Sequence, residues 1–373
     1  MKKSILSAIA VECKIIFRNR GVMLIIFLAP LIYSLLYSAG YAKQVLHKVP
    51  IAVIDNSHSH NSRQLISMLS ASPYLQLSYN PTDMIEAKEL LLNREIFGIV
   101  YIPNNYSKAL IEGEQAVVSI YCDASYFLMY RQVFQGVVSV ISTINRRYNT
   151  NPAIIYQPHT LFNASLGYGT FIMPAILLVI LQQTLLMGIG VVGGVWYKRA
   201  LYSHFSPITT ATAKCIVYGA IYAVTASYLL TLHYHIFGYP TNGTLAAIIS
   251  VIVPYILSAI LLAIALSTLF KRPEAAIMSI IWTSIPTLLL SGASLPTEAF
   301  PEWLHIIGKV FPSSSAVPAF IRVQTMGATI TEVSTEIVWL WCLVVIYGGC
   351  AIVAIKKRMP RRTTKSWTSN LPS

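Results

Sequence analysis

The most regular feature of the sequence is a series of long apolar stretches separated by short polar or basic connections. A helix needs about 20 mostly apolar residues to cross a hydrocarbon core of about 30 Å. Six stretches qualify without containing Asp, Glu, Lys or Arg, namely 22–41, 171–195, 215–236, 245–270, 275–295 and 337–355. Only 11% of all residues are charged. The pattern predicts an α-helical integral membrane protein with six transmembrane helices.

The first apolar stretch allows two interpretations, a cleaved signal peptide or a retained span. It is about twenty residues long and follows another twenty residues, whereas a signal peptide has a core of about 7–15 residues after a short basic lead. The pattern favours an uncleaved span over residues 22–42.

The distribution of charge along the chain predicts its orientation. Of the 27 Lys and Arg residues, sixteen fall on the side that holds the N-terminus, together with two of the 14 Asp and Glu residues. Basic residues concentrate on the cytoplasmic side, so both termini, including the basic tail 356–373, are predicted to be cytoplasmic. This asymmetry accounts for the formal net charge of +13. It favours contact with the lipid bilayer and disfavours nucleic acid as a partner.

Residues 1–21 are predicted to form a cytoplasmic amphipathic helix that lies at the membrane interface. Its apolar positions recur at helical spacing, and they are Leu6, Ile9, Cys13 and Ile16. The alternative is a plain basic flank that orients the first span.

Residues 43–165 alternate between strand-like and helix-like patterns, which predicts an α/β extracytoplasmic domain inserted between spans one and two. The predicted strands are 49–55, 74–79, 96–103 and 116–123, and the predicted helices are 62–70, 82–93, 105–113 and 126–148. No nucleophile-elbow sequence, glycine-rich phosphate loop or metal-ligand spacing occurs. We therefore predict no catalytic, cofactor-binding or metal residues, and a chain that is not itself an enzyme.

The spans lack the carboxylates and cations that mark ion pathways, which disfavours a proton-coupled carrier. The sequence also has no P-loop, so ATP and Mg would be bound by a partner subunit. The long internal loop 196–214 contrasts with the short loop 271–274, and with the N-terminal helix it forms the predicted docking surface. The proposed docking residues are Arg18, Arg20, Lys198, Arg199, Pro207 and Lys214. The alternative is that 196–214 is a simple connecting loop, which is basic only because basic residues concentrate on the cytoplasmic side.

Residues 296–326 are too polar to span a bilayer and too apolar for an ordinary loop. The pattern predicts one short helix over 301–310 and a second that begins near 313–315. Such a pair could dip into the outer leaflet, because broken backbone is tolerated there when it is buried in protein. The alternative is an interfacial hairpin with Trp303 as an aromatic anchor.

The same stretch resembles the segment before the last span of type-2 ABC transporter permeases, in the drug or lipid exporter branch with a large external domain. The matching residues are Ser291, Gly292, Pro296, Glu298, Pro301, Glu302, Trp303 and Pro312. The resemblance extends to 16–21, 51–69, 97–114 and 161–181. One departure is the loop after span two, which is basic here and lacks the family's acidic cluster and Gly-Thr.

The apolar pattern predicts a five-span transmembrane domain over 166–355. The resemblance implies a permease that works as a homodimer or heterodimer with a cytoplasmic ABC ATPase. It also implies multidrug efflux or lipid export through a bacterial inner membrane, with a periplasmic adaptor and an outer-membrane channel in a Gram-negative cell. The uncharged spans favour a hydrophobic or amphipathic substrate. Candidate path residues are Gln182, Gln183, Trp282 and Thr283, for which interhelical packing is the alternative. The competing function is a membrane-anchored scaffold or binding protein that acts through its external domain.

Overall fold

The fold is described from a computed structural model of the chain, over residues 4–41, 48–122, 127–148, 168–199, 205–292 and 300–358. The chain divides into two compact units. The first combines Met1–Ala42 with Phe162–Ser373, and the second is Lys43–Leu161.

Within the described residues, six helices are long and apolar enough to cross a membrane, and we number them spans 1 to 6. They are Arg20–Gly40, Gly169–Gly194, Pro207–Phe237, Leu245–Ser267, Pro273–Leu290 and Ser334–Arg358. Each corresponds to one of the six apolar stretches, so the predicted count agrees with the number of candidate spans.

Span 3 begins earlier than the apolar pattern indicates. The sequence predicts its first residue at 215, but the helix starts at Pro207, where Ser206 Oγ accepts a hydrogen bond from the Thr209 amide at 3.0 Å. The preceding helix continues to Arg199. The predicted loop 196–214 is therefore wrong at both ends, because residues 196–199 and 207–214 are helical.

Span 2 is the central helix of the first unit, with 94% of its apolar window buried. Two glycines near its end allow other segments to approach its backbone. A Cβ on Gly193 would lie 2.6 Å from the Ser267 carbonyl oxygen, and one on Gly194 would lie 2.6 Å from the Pro273 amide nitrogen. The end of span 4 and the start of span 5 therefore pack directly against span 2.

Between spans 5 and 6, the helices Glu302–Gly308 and Pro312–Met326 meet at 90°. Both agree with the predicted pair of short helices. Pro312 suits a first helical turn, where no amide donor is needed. Gly327 ends the second helix with a left-handed φ of 73°, which glycine adopts without steric cost.

The second unit contains a four-stranded sheet of order β2-β1-β3-β4. The strands are β1 Val49–Asp55, β2 Leu75–Tyr79, β3 Gly98–Ile102 and β4 Ser119–Cys122. β1 pairs in parallel with β2 and β3, whereas β4 is antiparallel to β3. The accompanying helices are His60–Ser70, Met84–Leu92, Tyr106–Glu112 and Phe127–Tyr148. These bounds agree closely with the predicted strands and helices.

Both faces of this sheet are covered, as is usual for parallel strands. Ile51 and Val53 pack in a cluster with Leu65. The alternate residues Ala52 and Ile54 pack on the other face in a second cluster. The second unit thus has its own hydrophobic core.

Candidate transport and docking sites

The N-terminal helix Ile5–Arg18 is separated from span 1 by Asn19. That residue has extended backbone angles, and its Oδ1 accepts a hydrogen bond from the Val22 amide at 3.2 Å. Its side chain thereby caps the next helix. The segment predicted as an amphipathic helix is therefore helical and distinct from the span that follows.

The face of this helix that packs inside the protein includes a charged residue. Ala8, Glu12 and Ile16 are fully buried at a spacing of four, whereas Leu6 is 71% exposed. The sequence pattern assigns Leu6 to an apolar face at the membrane interface, and its exposure does not contradict that assignment. The face that packs against the rest of the protein is the stripe that contains the only carboxylate of the helix.

Glu12 forms a buried ion pair with Lys214 near the start of span 3. Lys214 Nζ lies 2.6 Å from Glu12 Oε1, and the two side chains are 2% and 0% exposed. Charges of this kind are stable in an apolar interior only when they are paired. The pair fixes the N-terminal helix to span 3. The sequence analysis missed Glu12, although a lone acid in a basic segment was the available signal.

The other predicted docking residues lie near helix ends. Arg18 is in the last turn of the N-terminal helix and Arg20 is the first residue of span 1, and both are exposed. Pro207 is the first residue of span 3. Lys198 and Arg199 end the helix that contains span 2, and their side chains lie outside the described residues.

Arg358, at the end of span 6, donates hydrogen bonds to three backbone carbonyls of other segments. Its guanidinium donates to the carbonyl oxygens of Ser267 at 2.5 Å, Gly193 at 3.1 Å and Phe270 at 2.7 Å. Ser267 is the last residue of its helix, where carbonyls lack intrahelical partners and carry partial negative charge. Arg358 therefore binds the ends of spans 2 and 4 to span 6.

Gln182, in the middle of span 2, supports the bent helix pair. Its Oε1 accepts a hydrogen bond from the Ser313 amide at 3.0 Å, and the side chain is 1% exposed. An amide in the first turn of a helix needs such an acceptor from outside the helix. Gln182 thereby fixes the start of helix Pro312–Met326 inside the apolar core.

The neighbouring Gln183 lines a groove of about 370 Å³ between spans 1, 2 and 5. The walls are mostly apolar, and besides Gln183 the polar members are Tyr33, Tyr37, Thr184 and Ser284. Neither amide atom of Gln183 has a hydrogen-bond partner among the described residues, and the side chain is only 6% exposed. This leaves a buried amide that a bound molecule could satisfy.

Trp282 and Thr283 do not line this groove. Trp282 is 83% exposed on span 5. Thr283 Oγ1 donates to the carbonyl oxygen of Ile280 at 2.7 Å within the same helix. Of the four candidate path residues, only Gln183 lies in the groove.

The residues that resemble the segment before the last span of ABC permeases lie just before the bent helix pair or within it. Ser291 Oγ donates to the Leu288 carbonyl at 2.6 Å, and Gly292 has a left-handed φ of 78°. Pro301 and Glu302 begin the first short helix, and Trp303 is 62% exposed. Pro296 and Glu298 lie outside the described residues.

Span 6 holds the turn between the two short helices. The Trp339 indole N–H donates to the Lys309 carbonyl at 3.0 Å, and the Tyr347 hydroxyl donates to the Val310 carbonyl. These bonds satisfy backbone groups exactly where the chain departs from helical geometry.

Comparison with known proteins places these features in one family. A family model described as "ABC-2 family transporter protein" matches residues 20–353. The inner membrane transport permease YhhJ of Escherichia coli (strain K12) is 24% identical over 352 residues, covering 88% of this chain and 90% of the relative. The probable multidrug ABC transporter permease YbhR of the same strain is 22% identical over 375 residues, covering 93% and 96%.

A third relative is the linearmycin resistance permease protein LnrN of Bacillus subtilis (strain 168). It is 20% identical over 367 residues, covering 89% of this chain and 94% of the relative. No solved structure matches. The family model covers most of the chain, including five candidate spans and most of the sixth, and the chain is therefore a multi-span membrane protein that belongs to the ABC-2 family of transporter permeases.

Proposed function

We propose that this chain is the permease subunit of an ATP-driven exporter that moves a hydrophobic or amphipathic substrate outward across a bacterial inner membrane. The groove beside Gln183 is the observation that supports this substrate class. Its apolar walls suit an apolar body, and its unpartnered buried amide suits one polar group of the substrate. The names of two relatives, a probable multidrug permease and a linearmycin resistance permease, support this substrate class.

A separate cytoplasmic ABC ATPase would bind ATP and Mg and drive the cycle. It would dock on the N-terminal helix, on residues 200–206 and on the helix ends beside them. The contacting residues would be Arg18, Arg20, Lys198, Arg199 and Pro207. Lys214 acts indirectly, because its ammonium is buried against Glu12. Movement of the docked helix would reach span 3 through that ion pair.

The exposed apolar faces of spans 1 and 5 favour a homodimer or heterodimer, with the groove opening toward the second permease chain. Leu36, Ile281 and Ile285 are among the exposed side chains. Both termini would be cytoplasmic, since the basic flanks lie at those ends. The bent pair would be re-entrant, and the α/β unit would be extracytoplasmic, where an adaptor and an outer-membrane channel could meet it.

The first experiment is a pull-down from mild detergent with a tag on the C-terminal tail. We expect an ATPase with a P-loop to co-purify, and to be lost when residues 200–206 are replaced by a Gly/Ser linker of equal length. The matched control is the same replacement of residues 113–117 in the second unit. Absence of an ATPase from the wild-type preparation would overturn the proposal.

A second experiment tests the groove. In vesicles that contain the permease and its ATPase, Gln183→Leu should reduce export of a lipophilic dye by about tenfold, because one buried hydrogen bond is worth about 1–1.5 kcal/mol. Trp282→Leu, outside the groove, should leave export unchanged. Equal effects of the two substitutions would contradict the assignment of Gln183.

The scaffold alternative rests on the α/β unit, which has its own core. It predicts that residues 43–161 alone capture a periplasmic partner and that ATP has no effect on the chain. The two experiments above distinguish it from the exporter.

A further inference from the structure

A second groove lies between spans 4 and 6, at the ends of these helices that carry basic residues. Its volume is about 780 Å³. Leu269, Ile346 and Val353 supply apolar walls, and Gly349 lines the groove without adding a side chain. Neither the ATPase docking nor the substrate path proposed above uses this surface.

The groove has the length of one lipid leaflet. It extends along span 6 from Ile346 to Lys357, which is about 16 Å at a rise of 1.5 Å per residue. Half of a hydrocarbon core is about 15 Å. An acyl chain could therefore lie along the groove from its basic end toward the bilayer centre.

The charge at one end selects the headgroup. Lys357 lines this end and is exposed, and it forms no salt bridge among the described residues. Arg358 also lines this end, and it donates a hydrogen bond to the Phe270 carbonyl. The exposed residues Lys271 and Arg272 directly follow Phe270 in the chain and therefore lie near this end. Basic pockets between transmembrane helices on the cytoplasmic side bind anionic headgroups.

We propose that this groove binds one anionic phospholipid, with its phosphate at Lys357 and an acyl chain against Gly349 and Val353. The proposal rests on the orientation given under the proposed function, because anionic lipid is concentrated in the cytoplasmic leaflet. A second copy of the chain fits less well. Packing about a two-fold axis along the membrane normal would bring the two Lys357 side chains to the same level, where they repel each other.

The apolar part of the site is tested by filling the groove. A Cβ added to Gly349 meets no atom within 4 Å, so Gly349→Leu should occupy the groove without disturbing the helix packing. The control is Gly219→Leu in span 3, where a Cβ also meets no atom. The readout is native mass spectrometry of the full chain after incubation with phosphatidylglycerol or phosphatidylethanolamine.

We expect the wild type and Gly219→Leu to retain one phosphatidylglycerol in preference to phosphatidylethanolamine, and Gly349→Leu to lose it. Retention of both lipids to an equal extent by the wild type would overturn the proposal. Unchanged retention by Gly349→Leu would do the same, because it would show binding of a phosphate group at the surface or of lipid elsewhere.

The headgroup contact is tested by two adjacent lysines. Lys357→Gln should weaken phosphatidylglycerol retention about fivefold, since one Lys near an anionic surface contributes about 1 kcal/mol. Lys356→Gln should change it little, because Lys356 does not line the groove. Equal effects of the two substitutions would contradict a defined headgroup site.

Co-purification of the ATPase is measured in the same preparations. A wild type that binds the ATPase but shows no preference for phosphatidylglycerol would overturn the lipid site alone. A wild type that shows this preference but does not bind the ATPase would overturn the exporter proposal alone.

Discussion

At the scale of single residues, burial separates two ion pairs of the same chemical type. Lys214 and Glu12 are 2.6 Å apart with side chains 2% and 0% exposed, whereas Lys108 and Glu112 are 3.9 Å apart with side chains 74% and 47% exposed. Solvent screens the second pair, whereas burial shields the first pair from solvent. The two pairs should therefore respond very differently to loss of one charge.

Glu12→Gln should lower the free energy of unfolding by about 3–5 kcal/mol, because it leaves a buried ammonium without its counter-charge. Lys108→Gln, at the exposed pair, should change it by less than about 0.5 kcal/mol. Thermal unfolding of the detergent-solubilised chain measures both. The double variant Glu12→Leu/Lys214→Met should recover most of the loss, and a deficit equal to that of Glu12→Gln would contradict the electrostatic explanation.

Cys122 at the end of β4 offers a test by pH. Burial raises the pKa of its thiol from 9.0 to about 11. In the unfolded chain the thiol ionises near its ordinary value, so this group stabilises the folded unit below about pH 9. That contribution is lost as the pH rises through 9 toward 11.

In the isolated second unit, maleimide should therefore label Cys122 slowly at pH 8–9 and much faster after unfolding in urea, since the thiolate is the reactive form. The rate in the folded unit should rise toward pH 11. A folded rate at pH 9 equal to the unfolded rate would contradict the burial.

At the scale of secondary structure, the sequence predicts what depends on local pattern. The six spans follow from apolar length, and β1 to β4 follow from alternation and turn residues. The start of span 3 was predicted eight residues late because Lys214 ends the apolar stretch. Its charge is neutralised by Glu12, which lies 202 residues away in the chain, and local pattern contains no information about that pairing.

Local sequence pattern is equally insufficient to assign roles to the candidate site residues. Gln182 and Gln183 are adjacent and chemically identical, yet one caps the Ser313 amide and the other faces a groove. Their roles depend on the direction in which each side chain leaves span 2. The direction of each side chain reveals its role only when the positions of the neighbouring helices are known.

The close packing of span 2 leads to a prediction at this scale. Gly193→Ala should lower the free energy of unfolding by about 1–3 kcal/mol, because the new Cβ would overlap the Ser267 carbonyl. Gly219→Ala, where a Cβ meets no atom, should be neutral or slightly stabilising, since alanine favours helices. The comparison is made by thermal unfolding, and equal midpoints for the two variants would refute the close approach.

At the scale of the whole molecule, the chain contains two units with separate cores. Residues 43–161 expressed alone should fold and unfold cooperatively, with a stability of about 5–15 kcal/mol, which is typical of a single domain. Val100→Asp should abolish the transition because Val100 is fully buried, and Leu92→Asp should preserve it because Leu92 is 80% exposed. Circular dichroism during denaturant titration provides the measurement, and a fragment without a cooperative transition would contradict independent folding.

The ion pair between Glu12 and Lys214 also orders the events of biosynthesis. Glu12 leaves the ribosome 202 residues before its partner, a delay of about 10–40 s at about 5–20 residues per second. During this interval the carboxylate must stay hydrated, so the N-terminal helix cannot yet occupy its final place. The N-terminal helix can therefore attach only after span 3 has been inserted. In a chain truncated before Lys214, the helix would remain unattached.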